Sequence, residues 1–207
     1  MFCDRTDAAN QLAERLKAYR NKNPLILAIP RGAVPMGKII AEKLSGELDV
    51  VLVRKLRAPH QQELALGSVN ESGWTYLADF AELYGGSADY LEAEKRAQLQ
   101  TIRQRRAQYT PIRPPISPAG RIVIVIDDGL ATGATMISAL HGLRAMKPAK
   151  LICAIPVSPP DTLTKVAELA DEVVCLEAPP FFQAVGQFYR HFPQVDDDEV
   201  IALLSGT

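Results

Sequence analysis

The sequence predicts an α/β fold in which helices cover both faces of a parallel sheet, and three observations support it. Apolar runs of strand length recur along the chain: "LILAI" (Leu25 to Ile29), "DVVLV" (Asp49 to Val53), "IVIVI" (Ile122 to Ile126), "LICAIPV" (Leu151 to Val157) and "EVVCL" (Glu172 to Leu176). Segments of helical period separate most of them, and strands alternating with helices argue for parallel pairing. The runs are rich in β-branched residues and lack polar alternation, as strands buried on both sides do.

Ala8, Ala9, Leu12, Leu16 and Tyr19 recur at helical spacing behind Thr6 and Asp7, either of which could cap a first amphipathic helix. "PRGAVPMG" follows the first strand as a loop and feeds a helix from about Met36 to Leu44. After the second strand, "RKLRAPHQQELALGSVNESG" is too polar and too broken to be core, with a short strand pair expected through Leu66 to Leu77. Asp79 to Tyr109 reads as helical, with a break at Gly85 and Gly86 and a basic second half. The Pro-rich "TPIRPPISPAG" stops that helix and delivers the chain to Ile122. Helices are expected over Gly133 to Met146, from about Pro160 to Ala170, and from Asp196, where Glu199 occupies the capping-box position. One domain spans 1–207: a core of 1–73 and 119–176, a helical insertion at about 74–118 and a C-terminal cover at about 177–207.

With 207 residues, 47% of them hydrophobic and 23% charged, the chain can bury one sizeable core. Lys+Arg 23 against Asp+Glu 24 leaves no global field to draw in nucleic acid or an anionic membrane. Any anionic ligand must be held locally. The basic stretch 88–108 is expected to be a solvated helix face or a subunit contact. Cys3, Cys153 and Cys175 form no CxxC pair, so neither a zinc site nor a disulfide framework is suggested. No run approaches a membrane span and no signal peptide is evident, which makes the cytoplasm the expected address.

The chemistry concentrates in "IVIVIDDGLATGATM" (Ile122 to Met136), a strand running into a helix. Asp127 and Asp128 close the strand, and two adjacent carboxylates repel unless a ligand rewards the arrangement. Mg²⁺, a pair of sugar hydroxyls, or both would do so. A carboxylate accepts strongly from a hydroxyl, so the pair suits a ribose. Ala131, Thr132, Gly133, Ala134 and Thr135 then place free N–H groups, small side chains and two hydroxyls at a helix start, a nest for a dianionic phosphate. The chain has no GxGxxG and no GxxxxGK[ST], so dinucleotide and P-loop readings fail.

"VIVIDDGLATGAT" resembles the phosphoribosyl pyrophosphate signature of the type I phosphoribosyltransferases, and "DDGLATGAT" is particularly similar to the adenine version. The overall likeness is to a bacterial group of predicted phosphoribosyltransferases, and it covers most of the chain outside the helical insertion. The resemblance implies a Rossmann-like core with a C-terminal hood. It implies that Asp127 and Asp128 hold the ribose and that 131–135 anchor the 5′-phosphate. "PRGAVPMG" is similar to the family's pyrophosphate loop, with Arg31 and Gly32 at the diphosphate and a non-proline cis peptide between Pro30 and Arg31. The segment from Arg54 matches the flexible catalytic loop, where Arg54 and Lys55 would face the diphosphate and Glu71 would be the general acid or base, with Glu63 as the alternative. "PPFFQAVGQFYRHF" resembles the hood over the base: Phe181 or Phe182 would stack on it and Val185 and Gly186 would offer main-chain contacts, or these aromatics pack the hood onto the core.

The expected activity is transfer of ribose 5-phosphate from phosphoribosyl pyrophosphate (PRPP) to a small nitrogenous base, a purine by preference, with pyrophosphate leaving. The expected cofactor is Mg²⁺, held mainly by PRPP with Asp127 and Asp128 as possible ligands. A homodimer is the expected assembly. The alternative is a regulatory protein of the same fold that binds PRPP or a nucleotide without turnover.

Overall fold

The computed structural model describes residues 1–62, 64–109 and 114–206. In chain order it contains α1 (Arg5–Arg15), β1 (Leu25–Ala28), α2 (Val34–Leu44), β2 (Glu47–Val50), β3 (Val53–Arg57), β4 (Ala65–Asn70), β5 (Thr75–Leu77), α3 (Ala88–Tyr109), β6 (Ile122–Ile126), α4 (Ala134–Ala145), β7 (Lys150–Val157), α5 (Pro160–Ala167), β8 (Glu172–Glu177) and α6 (Asp197–Ser205). Five strands form a parallel sheet in the order β2-β1-β6-β7-β8. The α/β class expected from the apolar runs is the class observed.

Strand alternation divides the core in two. Ile26, Ala28, Leu48, Ile124, Ile126, Ile152 and Ala154 pack with α1, α2 and α6 on one face. Leu25, Leu27, Val123, Val125, Leu151, Cys153 and Ile155 pack with α4 and with Val166 of α5 on the other. Both sets are buried because both faces are covered, so β6 needs apolar residues at every position after its first. Sheet order runs one way from β1 to β2 and the other way from β6 to β8. The carboxyl ends of β1 and β6 therefore flank the topological switch point, where open α/β sheets bind their ligands.

Two expectations are corrected. "DVVLV" is not one strand: β2 ends at Val50, and Val53 opens an antiparallel sheet of order β3-β4-β5. The apolar run is unbroken because both of its ends are buried, each in a different sheet. The segment expected to be too polar for core contains β3 and β4, with Leu56, Leu66 and Val69 fully buried. Its polar side chains are satisfied by α4. Ser68 Oγ lies 2.6 Å from the Ala134 carbonyl oxygen and 2.5 Å from Ser138 Oγ, and Asn70 Nδ2 donates to the Ser138 carbonyl at 3.0 Å. Buried polar groups with partners carry little penalty, so polarity was a poor guide to burial here. The boundary expected at 73/74 falls inside the β4–β5 hairpin.

Candidate active site

The loops after β1 and β6 enclose a cavity of about 250 Å³ at the switch point. Arg31 and Gly32 line it from one loop, and Asp127, Asp128, Ala131, Thr132, Gly133 and Thr135 from the other. Lys55 of β3 and Val185 complete the wall. Ala134 is buried as the first residue of α4.

Each loop has its shape for a local reason. Gly133 caps α4 with φ of 75°, a left-handed conformation that suits a residue without Cβ. A Cβ there would also stand 2.7 Å from Thr162 Cγ2. Thr162 itself fixes the loop, donating from Oγ1 to the Ala131 carbonyl at 2.7 Å. The N-terminus of α4 adjoins the cavity, and the unpaired first-turn N–H groups and dipole of a helix favour an anion at that end. Across the cavity the Pro30–Arg31 peptide is cis, as the family resemblance implies. A Cβ on Gly32 would overlap Asp128 Oδ2, so only glycine lets the two loops approach this closely.

Burial first, and the charge of Asp128 second, raise the pKa of Asp127 well above the usual carboxylate range; a hydrogen bond from Asp128 N and the charges of Lys55 and Arg5 oppose this. Burial also raises Asp128, and Arg5 is its main counterweight. Arg5 Nε and Nη2 donate to Asp128 Oδ2 at 3.0 and 2.8 Å, and Nη1 donates to the Pro193 carbonyl at 2.6 Å. The guanidinium lies over the Phe192 ring at 3.9 Å, while Tyr189 Oη donates to the Asp128 carbonyl at 2.7 Å. Oδ2 of Asp128 is thus oriented by the protein, and the acid pair is joined to the C-terminal cover.

Sequence reasoning missed Arg5 because it began the first helix a turn late. The cap is Asp4, whose side chain accepts from Asp7 N at 2.8 Å, and Arg5 is the first helical residue. A cation in the first turn opposes the helix dipole, and that mismatch was the available signal of an acidic partner elsewhere.

Other expected site residues are placed differently. Lys55 points to the cavity, but Arg54, its neighbour on β3, turns to α3, where Nε donates to Gln98 Oε1 at 2.9 Å. Glu71 is not in the cavity. Arg106 Nε and Nη2 hold its carboxylate at 2.9 and 2.6 Å, on the wall of a second cavity of about 720 Å³ between the small sheet and α4. The reason is that β4 and β5 form an ordered hairpin which carries Glu71 to α3. Glu63 lies outside the described residues. In the C-terminal cover, Phe181 is 87% exposed, Phe182 packs on Phe188 with centroids 5.1 Å apart, and Gly186 abuts Phe192. Of the residues expected at the base, Val185 reaches the cavity wall.

A family model for the phosphoribosyl transferase domain matches residues 5–192. The chain belongs to the phosphoribosyl transferase family. Two curated proteins from strains of Mycobacterium tuberculosis, named provisionally as phosphoribosyl transferases, are 42% identical to it over 207 residues, 99% of this chain. They extend further: the chain spans about half the length of these relatives, 46% of each. The crystal structure of TT1426 from Thermus thermophilus is 40% identical and superposes with a TM-score of 0.82, covering 99% of this chain and 98% of the other. The fold shared with TT1426 therefore extends over α3 and the small sheet as well as the parallel core. No helix among the described residues is long and apolar enough to cross a membrane.

Proposed function

We propose that this phosphoribosyltransferase moves ribose 5-phosphate from PRPP to a nitrogenous base, a purine by preference, and releases pyrophosphate. One observation carries the reading: a carboxylate pair and the residues leading into a helix N-terminus line the same cavity, at opposite ends of one short loop. Ribose hydroxyls on Asp127 and Asp128, with the 5′-phosphate on residues 131–135, match that spacing of donors and acceptors. Positive charge develops at the anomeric carbon as the bond to pyrophosphate breaks, and the buried acid pair is placed to offset it. Arg31 and Lys55, both on the cavity wall, would supply the cations that the departing diphosphate needs. The adenine-like "DDGLATGAT" and the aromatic C-terminal cover support a purine acceptor.

Mg²⁺ fits this site only as a partner of the ligand. Among the described residues no three His, Cys, Asp or Glu side chains gather to hold a metal. Mg²⁺ commonly takes one or two carboxylates and leaves its remaining positions to water and phosphate oxygens. Asp127 and Asp128 would hold it, and it would supply charge neutralisation at the diphosphate.

Asp128→Asn should abolish pyrophosphate release while leaving the circular dichroism spectrum and chain compactness unchanged; full activity in that variant excludes the assignment. A pyrophosphate-release screen with PRPP, Mg²⁺ and a panel of purines and pyrimidines identifies the acceptor, and its no-base control separates transfer from hydrolysis. The capture of Glu71 by Arg106 favours a second reading, a regulatory protein that binds PRPP without turnover. That reading requires saturable PRPP binding and no release with any base.

A further inference from the structure

Beside the cavity, α3 and α6 bring together a group of charges that the family signature does not include. Asp197, in the first turn of α6, lies between two guanidinium groups: Arg31 Nη1 is 3.6 Å from its Oδ2, and Arg105 Nε is 3.8 Å from its Oδ1. Both separations exceed hydrogen-bond reach. Tyr109 makes the close contact with this carboxylate, donating its hydroxyl to Oδ1 at 2.9 Å. Arg54 stands against the same group. Burial and the neighbouring charges of Arg105, Arg57 and Arg31 lower its pKa, although Gln98 accepts its Nε–H.

Two guanidinium groups thus flank one carboxylate that neither meets at hydrogen-bond distance, and the charge of Arg54 acts on both from beside them. The Arg105 side chain is only 17% exposed, so its charge is poorly relieved by water. Like charges gathered in this way are unfavourable unless an anion joins them, and guanidinium forks suit the several oxygens of a phosphate. Arg31 belongs both to this group and to the cavity wall, which makes the two sites contiguous.

We propose that Arg105, from the inserted helix α3, joins Arg31 and Arg54 to receive the pyrophosphate leaving group, and that the Asp197 carboxylate offsets the charge of Arg31 and Arg105 until the anion arrives and competes with it for them. The proposal rests on the reading of the neighbouring cavity as a ribose 5-phosphate site. It gives α3 a part in substrate binding: the helix contributes a cation that no loop of the parallel core supplies. Asp197 is a counter-charge that the incoming anion displaces, so its own charge opposes binding.

Calorimetric titrations of the whole chain with inorganic pyrophosphate and, separately, with ribose 5-phosphate test this at fixed ionic strength. Arg105→Gln should weaken pyrophosphate about tenfold, as loss of one charge-assisted contact does, and leave ribose 5-phosphate within twofold. Arg105→Lys should fall between, because an ammonium keeps the charge and loses the fork. Asp197→Asn should tighten pyrophosphate several-fold. Wild-type affinity for pyrophosphate in Arg105→Gln, or unchanged or weaker binding in Asp197→Asn, overturns the proposal. A wild-type chain that binds ribose 5-phosphate but no pyrophosphate also overturns it while leaving the cavity reading intact. One that binds pyrophosphate through Arg105 but no ribose 5-phosphate refutes the cavity reading alone.

Discussion

Replacing Arg5 with Met tests whether the acid pair is held by the protein's own cation. Methionine keeps an apolar stem of similar reach and removes the charge. Two donors to Asp128 Oδ2, one to the Pro193 carbonyl and the stacking on Phe192 are lost together. The side chains of Arg5 and Asp128 are 12% and 17% exposed, so the pair falls in the buried regime and not the surface one, where such pairs contribute little. Removing one member of a buried ion pair strands the other and costs roughly 3–5 kcal/mol. For a chain of this size that corresponds to a fall in Tm on the order of 6–20 °C. The pH dependence has a definite sign. Arg5 restrains a pKa that burial already raises, so without it Asp128 rises further. The variant is penalised most above that raised pKa, where Asp128 is ionised and unpaired, and the deficit narrows as pH falls through it. Urea unfolding followed by circular dichroism over a pH series downward from 8, with Asp128→Asn as the partner in a double-mutant cycle, measures both effects. A loss below about 1 kcal/mol at pH 8, or a deficit that does not narrow anywhere as the pH is lowered, refutes the reasoning.

Asp127→Asn should make the protein more stable at pH 8 while ending ribose 5-phosphate binding. The folded-state pKa of Asp127 is raised, so its ionisation opposes folding above that value; the gain disappears as pH falls toward the unfolded value, which paired urea melts would show. Gly133→Ala should cost about 1–2 kcal/mol through its left-handed backbone, with further crowding at Thr162, and calorimetry should show ribose 5-phosphate affinity falling at least tenfold. Glu71→Gln should leave turnover within about threefold and lower stability by roughly 1 kcal/mol through its weakened hold on Arg106. A collapse of kcat with normal stability would restore Glu71 to the catalytic machinery.

The parallel sheet and the principal loop of the candidate site were legible in the sequence because both depend on local order. The run Ile122 to Ile126 buries each residue from Val123 onward, and a strand with two covered faces has little choice but apolar side chains. Asp127 through Thr135 are contiguous, so their chemistry could be read as one string. Gly32 and Arg31 were expected from the likeness of "PRGAVPMG", the loop after the first apolar run, to the family's pyrophosphate loop. Glu71, by contrast, was expected from the likeness of its segment to the family's catalytic loop, and position along a chain says nothing about which way a hairpin carries its tip. The strand pair expected through Leu66 to Leu77 is β4–β5, but its burial was obscured by Ser68 and Asn70, polar residues packed against α4 whose partners lie 66 to 70 residues away in sequence.

The amino-acid order alone therefore determined where most strands of the parallel sheet run, which loops follow β1 and β6, and which short segments have the hydrogen-bonding chemistry for a sugar phosphate. Tertiary structure alone decided which charges meet. Arg5 reaches Asp128 across 123 residues, Arg31 and Arg105 converge on Asp197 from separate elements, and Arg106 takes Glu71 out of the cavity. The difference is physical: hydrophobic period and capping act within a few residues and leave a local pattern, whereas an ion pair depends on a distance in space that the one-dimensional chain does not encode.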